Sequence, residues 1–196
     1  MSISLNKSQT ISLAKSSSTG SGLTKVFMGL GWDPVKSKGL LGLLGSGGSA
    51  IDLDASVIAF DENKRELSTV YFGKLQEFGG SIKHGGDNLT GDGDGDDERI
   101  YLDLKSLPQH VKTLVFTVNS FRGQTFDKVA NASCRLVDEV TGTEIATIAL
   151  SSQGGHTGII MAKLTRNGNE WDMTSLSQPG RGRTLNEMKS EIVSLI

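Results

Sequence analysis

Thirteen consecutive residues constrain this chain more than any other stretch: Gly86-Asp87-Asn88-Leu89-Thr90-Gly91-Asp92-Gly93-Asp94-Gly95-Asp96-Asp97-Glu98. Six carboxylates fall within twelve positions, and no base stands among them. Each close pair of like charges costs about 1 kcal/mol in water, and more where solvent is excluded. A chain tolerates such density by leaving the loop solvated or by binding cations. The pattern here favours cations. The spacing Asp92-x-Asp94-x-Asp96 lets alternate carboxylates converge on one point. Gly93 and Gly95 permit the tight curvature that convergence needs. Asn88, Thr90 and main-chain carbonyls add neutral oxygens. The chain's net charge of −2 conceals this loop, because without its six acids the balance would be +4.

The ligand atoms on offer are all hard oxygens, since the run holds no His or Cys; that argues against zinc, copper or iron. Calcium accepts six to eight oxygens in flexible geometry, whereas magnesium prefers few carboxylates and retained waters. A second acidic element lies upstream in Asp52-Leu53-Asp54-Ala55-Ser56. Asp52 and Asp54 share one face of a strand, and farther along that face becomes Ile58 and Phe60. This strand therefore starts at a polar rim and runs into the core. Asp52, Asp54, Asp87, Asp92, Asp94, Asp96, Asp97 and Glu98 make eight carboxylates. One divalent ion would leave them strongly negative, so two calcium ions are expected. The run is not an EF-hand: the position that wants Gly is Asp97, the one that wants a bidentate Glu is Asp103, and a strand follows where a helix is required. A single copy of the Gly-Asp pattern is equally poor support for a repetitive β-roll.

The rest of the chain reads with a period of two. Val26, Met28, Leu30 and Trp32 alternate with Lys25, Phe27, Gly29 and Gly31. Similar alternation covers 51–58, 99–104, 111–118, 133–137, 144–150, 158–164 and 170–176. Gly is common at 25 residues and Pro rare at three, a balance that suggests many turns. Asn167-Gly168 is a hairpin signal. Eight to ten short strands predict a mainly β fold: a two-sheet antiparallel β-sandwich with the calcium loops at one end. The 196 residues fit one domain, 1–196. Residues 124–130 predict a short helical turn with Phe126 and Val129 facing inward. At the C-terminus Thr184-Leu185-Asn186-Glu187 matches a capping box, and Leu185, Met188, Ile192 and Leu195 recur at helical spacing. A Gly/Ser-rich segment at 36–49 carries Leu40, Leu41, Leu43 and Leu44 and reads as a loop insertion. The default expectation for it is a mobile insertion or packing against the domain's own surface; peripheral docking of its leucines on a membrane or a partner is the alternative, by analogy with calcium-dependent lipid modules.

Several function classes are disfavoured. The near-neutral charge gives no basic field for nucleic acid. Cys134 is the lone thiol, in a strand-like stretch, and reads as a buried structural group. His84, His110 and His156 share no metal spacing and read as structural or surface residues. Arg181-Gly182-Arg183 reads as a solvated loop. Nucleophile elbows, P-loops and dinucleotide motifs are absent. The first residues lack the apolar core of a signal peptide, and no stretch approaches the ~20 apolar residues of a membrane span, so a cytoplasmic protein is expected.

Gly29-Leu30-Gly31-Trp32-Asp33, Asp52-Leu53-Asp54-Ala55-Ser56 and the long acidic motif resemble the signatures of the TerD family of tellurium-resistance and stress-response proteins, over nearly the whole chain. Val118-Asn119-Ser120-Phe121-Arg122-Gly123-Gln124-Thr125-Phe126 and the Gly-rich insertion resemble the TerZ branch. The resemblance implies a calcium-binding β-sandwich from bacterial tellurite-resistance clusters, with links to general stress, phage and colicin resistance. By position it implies calcium-site roles for Asp52, Asp54, Asp87, Asn88, Asp92, Asp94, Asp96, Asp97 and Glu98, with Asp33 a further candidate beside the insertion. Physical reasoning narrows the role. An acidic site repels the tellurite oxyanion unless metal is already bound, and Cys134 alone is no reducing centre. The expectation is a non-enzymatic, calcium-dependent binding or scaffolding module that assembles with other stress-response proteins of its system. The alternative is a metal-dependent hydrolase, which would need an open coordination position and a general base.

Overall fold

In the computed structural model of the protein, the described residues are 2–15, 22–34, 52–88, 95–150, 154–182 and 184–196. The segment 36–49 with its four leucines lies outside them, as do Asp92 and Asp94.

The described residues form two sheets. The first contains β1 (Ile3–Ser4), β3 (Lys25–Pro34), β6 (Gln76–Glu77), β7 (Ile82–His84), β8 (Glu98–Asp103), β10 (Val129–Asp138) and β11 (Glu144–Ala149). Its spatial order is β1-β11-β10-β3-β8-β7-β6. The second contains β2 (Thr10–Ser12), β4 (Leu53–Phe60), β5 (Glu66–Val70), β9 (Thr113–Ser120), β12 (Gly158–Asn167) and β13 (Glu170–Gly180), in the order β2-β13-β12-β9-β4-β5. All neighbours pair antiparallel except β1 with β11. The inward residues of β3 (Val26, Met28, Leu30, Trp32) face those of the other sheet (Leu53, Ala55, Val57, Leu114, Phe116, Val118) in one core. The mainly β, two-sheet sandwich expected from the alternation is the fold observed.

β4 is buried along both faces. Leu53, Ala55, Val57 and Ala59 enter the main core, whereas Ile58 and Phe60 enter a second cluster with Val115, Ile160, Met188 and Ile192. The cover for that second face is helix α1 (Leu185–Ser194). It sits so close that a Cβ on Gly180 would fall 2.4 Å from the Met188 sulfur. Asp52 and Asp54 thus begin a strand whose outward face turns apolar under α1, as the sequence indicates.

Three local expectations are refined. The turn at 124–130 is a single 3-10 turn over Phe126–Lys128; Phe126 is buried, and Val129 already belongs to β10. Thr184 is the N-cap of α1 but makes no side-chain bond to the helix amides. Its hydroxyl instead lies 3.4 Å from Glu187 Oε1, so the reciprocal capping box is not formed. Gly168 takes φ +62° in a two-residue hairpin between Asn167 and Glu170, the backbone sign such turns need.

Candidate metal centre

The acidic run ends in a clasp on the outer face of the first sheet. Gly29 and Gly31 make room for it. A Cβ on Gly29 would lie 2.4 Å from the Asp96 carboxylate, and one on Gly31 would lie 2.8 Å from the Gly95 carbonyl. Asp96 folds over that glycine track. Arg135 Nε and Nη2 donate to its two oxygens at 2.7 and 3.0 Å, and Arg99 Nε adds a bond of 3.0 Å. Asp97 follows: its N–H bonds the Leu30 carbonyl at 2.8 Å. Its Oδ2 accepts from Trp32 N–H at 2.9 Å, and its Oδ1 from Asn88 Nδ2 at 2.9 Å. These bonds spend the charge of Asp96 and much of the accepting capacity of Asp97 on holding the loop.

Glu98 opens β8 on its core-facing side, in line with Ile100 and Leu102, and is buried. It bridges the two sheets: Oε2 accepts from Ala55 N–H at 2.7 Å, and Oε1 from Asn88 N–H at 3.3 Å. His84, also buried, places Nε2 3.5 Å from Oε2 and 3.2 Å from the Ala55 carbonyl. Gly86 N–H donates to His84 Nδ1 at 3.2 Å, so the ring's own proton belongs on Nε2. Burial lowers the His84 pKa, but the hydrogen bond and charge of Glu98 outweigh it and the net shift is upward.

Beside this satisfied framework lies a different group. One oxygen each from Asp52, Asp54 and Asp87 falls within 4.8 Å of the others. Asp52 precedes β4, Asp54 is its second residue, and Asp87 comes from the segment after β7. Arg122 Nε donates to Asp52 Oδ2 at 3.2 Å. Asp52 Oδ1 and Asp54 Oδ2, in contrast, are buried with no hydrogen-bond partner. Burial is the main cause of a raised Asp52 pKa. Burial, reinforced by the charges of Glu98, Asp52 and Asp87, pushes Asp54 up to about 7. A buried, unpartnered carboxylate oxygen is costly, and a cation is the group that relieves it. Three convergent hard oxygens with unused lone pairs fit calcium.

The TerD domain profile matches residues 1–191. The chain belongs to the TerD family. Tellurium resistance protein TerZ of Serratia marcescens is 52% identical over 194 residues, covering 99% of this chain and 98% of the relative. Tellurium resistance protein TerD of the same organism is 32% identical, covering 91% of each. Stress response protein SCP2 of Bacillus subtilis is 40% identical, covering 98% of this chain and all of the relative. A crystal structure of a TerD homologue from Streptomyces coelicolor A3(2) superposes with a TM-score of 0.70 at 21% identity, over 88% of this chain and 98% of that one, and so shares the fold.

Within this TerD-family chain the structure sorts the expected site residues. Asp52, Asp54 and Asp87 come together. Asn88, Asp97 and Glu98 form the bonded frame around them. Asp96 lies on the outer face in its arginine clasp. Asp33 stands exposed at the end of β3, where its Oδ2 accepts from Asn131 Nδ2 at 2.9 Å. Four contributors escaped the sequence reading: His84, Arg99, Arg122 and Arg135. His84 and Arg99 carried a local signal, the first two residues before Gly86 and the second three after Asp96; Arg122 and Arg135 reach the site through tertiary pairing.

Proposed function

We propose that this TerD-family chain is a non-enzymatic calcium-binding protein of a tellurite-resistance or stress-response system, acting in the cytoplasm as a calcium-dependent binding or scaffolding module. The observation that carries this reading is the pair of buried, unpartnered oxygens on Asp52 and Asp54 beside Asp87. Those three residues would hold one ion, and a second would draw on the rest of the acidic run, including Asp92 and Asp94. Calcium bound there supplies positive charge that neutralises the trio. The residues' own work is positional. Glu98 ties the segment carrying Asn88 to β4, Asp97 ties the far end of the acidic run to β3, and Asp96 ties it to β10 and β8 through Arg135 and Arg99. The partners proposed are other stress-response proteins of the same system. No helix among the described residues is long and apolar enough to cross a membrane.

A ligand that binds only the folded state stabilises it by about 2.7 kcal/mol at a hundred times its dissociation constant. The melting temperature should therefore rise from EDTA to millimolar calcium, and isothermal titration should report two sites. Asp52→Asn should remove the heat of one of them. An unchanged melt with no binding heat would refute the reading.

A further inference from the structure

A cavity of about 370 Å³ opens on the outer face of the second sheet, between β4, β5 and the start of α1. Asp54 and Asn119, register partners on β4 and β9, line it. Asn119 is only 3% exposed. Its Nδ2 donates to the Gly182 carbonyl at 3.0 Å, while its Oδ1 has no partner. Asp54, 6% exposed, brings its own unpartnered Oδ2. The lining's one described cation, Lys189, is already paired with Glu66 at 2.8 Å. The lining therefore offers unsatisfied acceptors and one uncompensated carboxylate.

Its rim is aromatic. Tyr71, Phe72 and Phe121 are all substantially exposed and run in a row, with edge-to-face contacts of 5.4 and 5.6 Å between centroids. Three exposed rings beside a carboxylate suit a cation that is itself partly apolar, because the ring faces attract positive charge. A guanidinium satisfies both halves: its planar face stacks on rings and its N–H groups donate to carbonyl and carboxylate oxygens.

We propose that this cavity binds an organic cation with N–H donors and an apolar shank, either an arginine-like side chain of a partner protein or a free amine. It overlaps the calcium reading at Asp54 alone, so calcium and the organic cation would compete for Asp54 Oδ2. The head group lies between the Asp54 and Asn119 oxygens and the faces of Phe72 and Phe121, and the shank runs outward along the rim.

Nuclear magnetic resonance titrations of the full chain in EDTA test this independently of calcium. The probes are agmatine, an acetylated tripeptide amide with arginine at its centre, and benzoate as an anionic control. Agmatine and the peptide should saturate resonances around the cavity, and benzoate should not. Tighter binding of the peptide assigns the natural ligand to a protein side chain, and tighter binding of agmatine to a free amine. Phe72→Ala and Phe121→Ala, both on the exposed rim, should each weaken binding about fivefold while the melting temperature holds. Failure of both cations to bind the wild type, unchanged affinity in both variants, or preferential binding of benzoate would overturn the proposal.

Discussion

Two halves of one acidic system behave oppositely. In the clasp, Asp96 and Glu98 are fully partnered: the first by Arg99 and Arg135, the second by Ala55, Asn88 and His84. In the trio, Asp52 and Asp54 each keep a buried oxygen with no partner. Carboxylate density alone therefore does not locate a cation site. What matters is whether the protein supplies its own positive charge and donors. Where it does, the acid serves the structure; where oxygens are left over, as on Asp52 despite Arg122 and on Asp54, the proposed ion has its ligands.

The largest expected effect comes from taking charge out of the trio. Asp54 is pushed up to about 7 in the fold from an ordinary 3.8. Between those values the folded state keeps a proton that the unfolded state has lost, so stability falls as pH rises through that window and levels off above about 7. The groups facing Asp54 are Glu98, Asp52, Asp87 and His84. Of these, Asp52 and His84 are also shifted upward and add the same sign. In EDTA, then, Asp54→Asn should be more stable than the wild type at pH 8 by at most a few kcal/mol, at ~1.4 kcal/mol per pKa unit, and the advantage should vanish near pH 4. Denaturant melts at the two pH values read this directly. In calcium the order should reverse, because ions need the ionised carboxylate. Equal slopes for wild type and variant in EDTA would show that the trio is not strained.

Removing Glu98 should do the opposite. It is a buried acid, so Glu98→Ala strands the buried Ala55 amide and removes the charge beside the buried His84 ring. A loss of about 3 kcal/mol is expected, and it should appear in EDTA and in calcium alike. A loss confined to calcium would make Glu98 a ligand first and a frame second.

The division between clasp and trio was only half legible in the sequence. The acids were visible, as was the outward face that begins with Asp52 and Asp54 and turns into Ile58 and Phe60. Oxygen-only donors suffice to argue for a hard cation. What the sequence hid was the partner of each acid. Arg135 lies thirty-nine positions from Asp96 and Arg122 seventy from Asp52, and nothing local announces either pairing. The glycines of Gly29-Leu30-Gly31 were recognisable as part of a motif, yet their role as a track for Asp96 depends on the loop lying over them. Short strands such as β1, β6 and β7 were missed for a related reason: two or three residues cannot display a period, and they exist because a neighbour's edge accepts them.

The smallest effect sharpens the comparison from the clasp's side. Asp96 is nearly inaccessible, but its arginines are not: Arg99 and Arg135 keep 42% and 36% of their side-chain surface exposed. Solvent discounts such pairs, so Asp96→Asn should cost only about 1 kcal/mol despite its three charged hydrogen bonds. The calcium-induced rise in melting temperature should survive at nearly full size, since the trio keeps its unpartnered oxygens. Gly29→Ala tests the same contact through shape, by pressing a methyl group into the Asp96 carboxylate. In Asp96→Ala/Gly29→Ala that carboxylate is gone, so the double variant should recover part of the loss caused by Gly29→Ala alone. Strict additivity would mean that the glycine track serves something other than Asp96. Loss of the calcium response in Asp96→Asn would move Asp96 from the clasp into the binding site.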